Sequence, residues 1–186
     1  MLSLKGLLVV IITAGVLAIP LGFYRDFLTR GMQPSPSTLR LNELEKDGLP
    51  DFSLPDRAGK PVTLAQFKGK TIILNLWASW CAPCVKEFPS MMNLAMKFPD
   101  DLVIVAVSHD RVREDLDSFV AAFGPVPSNF VIVWDKDRIT GPLYGSDVLP
   151  ESFILNREMK LVRKVVGEQV WDTPEALLFF KDVMNM

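Results

Sequence analysis

Asn75-Leu76-Trp77-Ala78-Ser79-Trp80-Cys81-Ala82-Pro83-Cys84 is the stretch on which the fold of this chain turns. Upstream of the cysteines, 71–77 is a short apolar run rich in branched side chains, suited to a central strand buried on both faces. Downstream, Val85, Phe88, Met92, Ala95 and Met96 recur at helical spacing, which predicts a helix over about 82–98 with Pro89 expected to kink it. The two cysteines therefore fall where a strand hands over to a helix. Unpaired N–H groups and the dipole at a helix start favour a thiolate, the reacting species of disulfide exchange. In such pairs the first sulfur faces the opening and the second is more covered. Cys81 is accordingly assigned as the attacking thiolate, and Cys84 as the thiol that resolves the mixed disulfide. Pro83 lacks an N–H and pre-sets φ, so it costs little in a first helical turn.

Other uses of a C-x-x-C pair fit less well. Haem attachment needs a histidine after the second cysteine, where Val85 stands. A zinc ribbon needs a second pair, and a chain with two cysteines and one histidine, His109, does not supply a closed structural zinc site. A purely structural disulfide stays open as a reading, although a loop of two intervening residues closes too little chain to stabilise much. A peroxiredoxin expects a proline–threonine pattern before its reactive cysteine, and Trp77-Ala78-Ser79-Trp80 lacks it. The second reading of function is a copper-delivery module using both thiols and a methionine. Against it, Met91, Met92 and Met96 sit at helical spacing and read as core. Trp77 reads as core too, Trp80 as a cover over the site or a plain packing residue, and His109 as a loop histidine without catalytic duty.

Further out, 51–54 and 61–64 flank Arg57-Ala58-Gly59-Lys60 and read as a hairpin. A second buried strand is expected over 102–108, and an amphipathic helix over 112–123, ended by Gly124-Pro125. Strands follow at 130–134, 152–155 and 161–166, the last two joined by a polar turn at Asn156-Arg157-Glu158. Asp172-Thr173-Pro174-Glu175 opens a closing helix with a cap, a first-turn proline and an acidic residue against the dipole. Strand–helix–strand–helix, then a strand pair and a helix, makes an α/β layer structure.

The chain has 186 residues, 49% hydrophobic and 23% charged, with a net charge of −2, so it carries no electrostatic footprint for nucleic acid. Residues 6–24 form an uncharged apolar run of about 28 Å if helical, close to a bilayer core. It reads as a single transmembrane anchor. A cleaved signal peptide is the competing reading: Val16-Leu17-Ala18 is a passable cleavage site, but Pro20 lies just beyond it and the apolar run continues. Lys5 stands against Arg25 and Arg30, so charge leaves the orientation nearly balanced. A linker is expected over 25–47, because Pro34-Ser35-Pro36-Ser37 does not form a regular element, with a short helix at most over 39–47. The redox domain then occupies 48–186.

Residues 49–186 resemble the TlpA/ResA/CcmG (DsbE) branch of the thioredoxin superfamily, membrane-tethered redox proteins of the bacterial envelope. Beside the cysteine stretch, the resemblance rests on Leu49-Pro50-Asp51-Phe52, Phe67-Lys68-Gly69-Lys70, Lys86-Glu87-Phe88-Pro89 and Leu149-Pro150-Glu151-Ser152-Phe153-Ile154. It implies a thioredoxin-like fold with an N-terminal hairpin extension and no bound cofactor. It also implies a redox domain on the periplasmic side of the inner membrane, which a membrane thiol–disulfide donor keeps reduced. The clients implied are proteins with disulfides, apocytochrome c among them.

The resemblance also places a cis peptide at Leu149-Pro150, facing the active site, where the backbone of Leu149 is free to pair with an extended client. Glu151 would help to read that client, the bland alternative being a loop charge. Glu87 lies three residues after Cys84 and shares its helix face. By spacing alone it is a solvated glutamate beside Lys86. The resemblance makes it a functional acid, taking the Cys84 proton or tuning both thiols. Asn75 stands where general thioredoxins place a buried aspartate, and an amide is no base, so proton transfer is expected to be handled elsewhere.

Overall fold

The computed structural model describes residues 22–25 and 35–186. The expected hairpin is present with shorter strands: β1, Leu54–Pro55, pairs antiparallel with β2, Pro61–Val62. The main sheet holds β3 (Thr71–Trp77), β4 (Leu102–Ser108), β5 (Phe130–Trp134), β6 (Glu151–Leu155) and β7 (Leu161–Val166) in the order β5-β4-β3-β6-β7. β3 pairs with β4, and β4 with β5, in parallel, while β6 runs antiparallel to both β3 and β7. Every residue of β3 and β4 is buried, which is why both read as unbroken apolar runs.

Among the described residues from 35 onward, α-helices accompany the sheet as α1 (Pro36–Asp47), α2 (Ala82–Lys97), α3 (Arg113–Ala122), α4 (Thr140–Tyr144) and α5 (Pro174–Met184). Alternation along β3 builds a core on each face. Ile73 and Trp77 join Phe88 and Leu94 of α2, Leu116 of α3 and Phe180 of α5. Ile72, Leu74 and Leu76 join Leu44 of α1, Phe52, Leu64 and Tyr144. Trp77, Phe88, Phe119 and Phe123 form an aromatic cluster with centroids 4.9–5.3 Å apart. The layered α/β arrangement and the strand positions match expectation, and α2 continues unbroken through Pro89.

Two elements differ from expectation. The linker expected over 25–47 ends earlier, because Pro36–Asp47 is helical and residues 37–186 form one compact unit. A proline opens a helix at little cost, since its missing N–H would be unbonded in the first turn anyway. The helix is docked through Leu44, 1% exposed, and through Arg40, whose Nε and Nη2 donate to the Leu143 carbonyl at 3.1 and 2.6 Å. Arg40 crosses Gly145, where φ is +62° and a Cβ would stand 2.8–2.9 Å from its Cγ and Cβ. A side chain there would meet Arg40 close to its backbone, and one of the two would have to shift. The second element is α4, five residues whose short apolar pattern is not distinctive.

Among the described residues no helix is long and apolar enough to cross a membrane. The anchor expected over 6–24 lies outside them, apart from Gly22, Phe23 and Tyr24.

Candidate active site

The junction between β3 and α2 is stitched from beyond β4. His109 N–H donates to the Trp77 carbonyl at 2.8 Å. The Asp110 carboxylate accepts from Ser79 N–H at 3.1–3.2 Å and from Ser79 Oγ at 2.8 Å. Cys81 is thereby fixed as the N-cap of α2, and its Sγ accepts from Cys84 N–H at 3.3 Å. A helix-start N–H aimed at this sulfur supports negative charge on it. Cys81 and Cys84 are joined in a disulfide. Cys84 is 1% exposed and Cys81 6%, so the first sulfur is the less covered of two buried ones.

One turn further, Glu87 is 2% exposed, not the solvated glutamate that spacing alone favours. Its Oε1 accepts from Asn75 Nδ2 at 3.0 Å. Its Oε2 accepts from Trp171 Nε1 at 3.2 Å and from Gln169 N–H at 3.3 Å. Asn75 spends its other amide donation on Ser152 Oγ at 2.9 Å. Burial raises the Glu87 pKa, opposed by the hydrogen bonds from Trp171, Asn75 and Gln169 and aided by nearby Glu168. The strand position that lacks a carboxylate therefore carries an amide that binds one.

Beside the disulfide lies a groove of about 310 Å³, with Trp80, His109, Arg138, Val148 and Leu149 in its lining. The Trp80 ring is 60% exposed and lies under the Arg138 guanidinium, 5.5 Å from its centroid. Arg138 is itself anchored by Nε donating to the His109 carbonyl at 3.0 Å. Leu149 packs against the cluster that includes Cys81 and Cys84. The Leu149-Pro150 peptide is cis. Pro150 is buried, and its carbonyl accepts from Gly167 N–H at 2.9 Å.

Glu151 does not line the groove. It belongs to β6, is buried, and pairs with Lys164 at 3.1 Å across to β7. Strand alternation turns its side chain to the face opposite Ser152, so it is a strand residue paired within the sheet and not a loop charge.

His109 is buried, and its Nε2 lies 2.8 Å from Thr140 Oγ1, which donates to Asp135 Oδ2 at 2.6 Å. With that hydroxyl proton committed to Asp135, Nε2 is the donor. Burial lowers the His109 pKa, against the pull of Asp135. Met91 is buried, Met92 packs against the core, and Met96 is exposed. Trp171, Gln169 and Arg138 were not foreseen. The only signal for them is proximity created by the fold.

Comparison with known proteins adds a second line of support. The AhpC/TSA family model matches residues 46–164. The chain is 39% identical over 124 residues to the thiol-disulfide oxidoreductase ResA of Bacillus subtilis, covering 66% of this chain and 68% of that protein. It is 35% identical over 130 residues to ResA of Bacillus thuringiensis, covering 69% and 73%. Among solved structures it is similar to a Chlorobium tepidum protein assigned as the thiol:disulfide interchange protein DsbE. That structure gives a TM-score of 0.66 at 32% identity, covering 74% of this chain and 95% of the other.

Proposed function

The chain belongs to the AhpC/TSA family and is a thiol-disulfide oxidoreductase of the ResA/DsbE type, and from that premise we propose that it reduces client disulfides on the periplasmic side of a bacterial inner membrane, anchored by residues 6–24. The observation that carries the reductive exchange is the pairing of a helix-capping sulfur, Cys81, with a buried carboxyl, Glu87, one turn beyond Cys84. The anchor is supported by the uncharged length of 6–24.

The exchange proceeds in two steps from the reduced pair. Cys81 thiolate attacks a client disulfide, the client S–S bond breaks, and one client sulfur leaves as a thiolate. Cys84 then gives its proton to Glu87 and attacks Cys81 Sγ. The mixed disulfide breaks, the second client sulfur leaves, and two electrons have passed to the client. A membrane thiol–disulfide donor restores the dithiol, and no bound cofactor takes part. Leu149 holds an extended client segment through its backbone, Pro150 shapes the turn that presents it, and Trp80 covers the segment. The clients we assign are envelope proteins with disulfides, with the haem-binding cysteines of apocytochrome c as the leading class.

Trapping tests the exchange. Cys84→Ala should accumulate clients covalently held on Cys81, and their absence from cells expressing it would sink the reading. Direction is tested by equilibrium with glutathione. Such pairs span roughly −270 mV to roughly −120 mV, and a value at the oxidising end would overturn the reductant assignment.

A further inference from the structure

We propose that Trp171 is a positioning residue for the exchange reaction: its indole N–H holds the Glu87 carboxylate in one orientation and favours its ionised form, setting the pH at which Cys84 can be deprotonated. The proposal rests on the reading of Glu87 as the proton acceptor.

A carboxylate only accepts, and an indole N–H only donates, so this bond rewards the anion over the acid. Glu87 sits where burial favours the acid, and among the described residues its three donors are Asn75 Nδ2, Gln169 N–H and Trp171 Nε1. Trp171 arrives from 84 residues along the chain, in the segment between β7 and α5. It is held from two sides. Its backbone N–H donates to Ser90 Oγ at 3.1 Å, and that hydroxyl donates to the Glu87 carbonyl at 2.8 Å. Its ring is 4% exposed and packs 6.2 Å from Phe180. Backbone and indole of one residue thus grip the same turn of α2. Of the three donors, Gln169 acts through its backbone and Asn75 is shared with Ser152, which leaves Trp171 as the side chain that bonds Glu87 alone.

Two measurements on the full chain in detergent solution test this. In wild-type protein labelled with ¹⁵N-tryptophan, the Trp171 indole resonance should move with pH through one inflection above the ordinary carboxylate range. In Glu87→Gln that inflection should vanish. Trp171→Phe, which keeps an aromatic ring but no donor, should move the pH profile of the Cys84 resolution step upward by about one pH unit. The same substitution should leave the profile unmoved in a Glu87→Gln background. A flat indole resonance from pH 4 to 9, or an equal shift in both backgrounds, would overturn the proposal. The wild-type titration keeps it testable even if Trp171→Phe fails to fold. If Glu87→Gln resolves mixed disulfides at the wild-type rate, the acceptor reading of Glu87 falls and Trp171 loses its part in the reaction. A titrating indole would in that case still record the bond.

Discussion

At the residue scale, the two sulfurs were legible because their chemistry lies in adjacent positions, whereas the setting of Glu87 was not. Spacing put Glu87 on the Cys84 face, but its burial comes from Asn75, Gln169 and Trp171, which lie 12, 82 and 84 positions away. If Glu87 takes the Cys84 proton, Glu87→Gln should slow resolution of a preformed mixed disulfide by about a hundredfold near neutral pH. Stopped-flow release of the client thiol measures this, and the first attack by Cys81 should be far less affected. Glu87 also leaves a thermodynamic mark. Its folded pKa is raised above the ordinary 4.5, so the folded state binds the proton more readily than the unfolded chain. Stability from this group is therefore full below pH 4.5 and is lost as pH rises through the raised value. Thermal melts of the oxidised protein should show Glu87→Gln gaining on wild type as pH increases from 4.5 to 8. For His109 the direction reverses: its folded pKa is lowered, so its ring C–H resonance should inflect below 6.5.

At the scale of elements, strands and long helices could be read from periodicity, since their burial repeats every two or every three to four residues. α1 could not. Its sequence is mostly polar with one fully buried side chain, and what makes it dock is a carbonyl of Leu143, about a hundred residues on, that accepts from Arg40. α4 was equally hidden, being five residues whose placement follows from the Asp135 carboxylate. That group accepts from Ile139 N–H at 3.0 Å and from Thr140 N–H at 2.9 Å. If α1 is integral to the domain, Leu44→Ala should cost about 2–4 kcal/mol in urea unfolding, the range for emptying a buried leucine site. A loss near zero would return Pro36–Asp47 to the status of a tether.

For the molecule as a whole, the proposed address remains a matter of the first two dozen residues. Full-length protein should sediment with membranes and resist extraction by carbonate, while a chain begun at residue 35 should be soluble and redox-active. Recovery of a shortened protein in the soluble periplasm would favour cleavage near Ala18 over an anchor. Where such a chain is begun matters for a reason set by Arg40. The residue clasps Leu143 and overlies Gly145, and neighbouring Gly141, Pro142 and Ser146 wall the groove beside Trp80. A gene trimmed at codon 48, where the motifs start, would yield an enzyme that still closes its disulfide yet grips substrates poorly. An assayist would then mistake a missing buttress for weak catalysis.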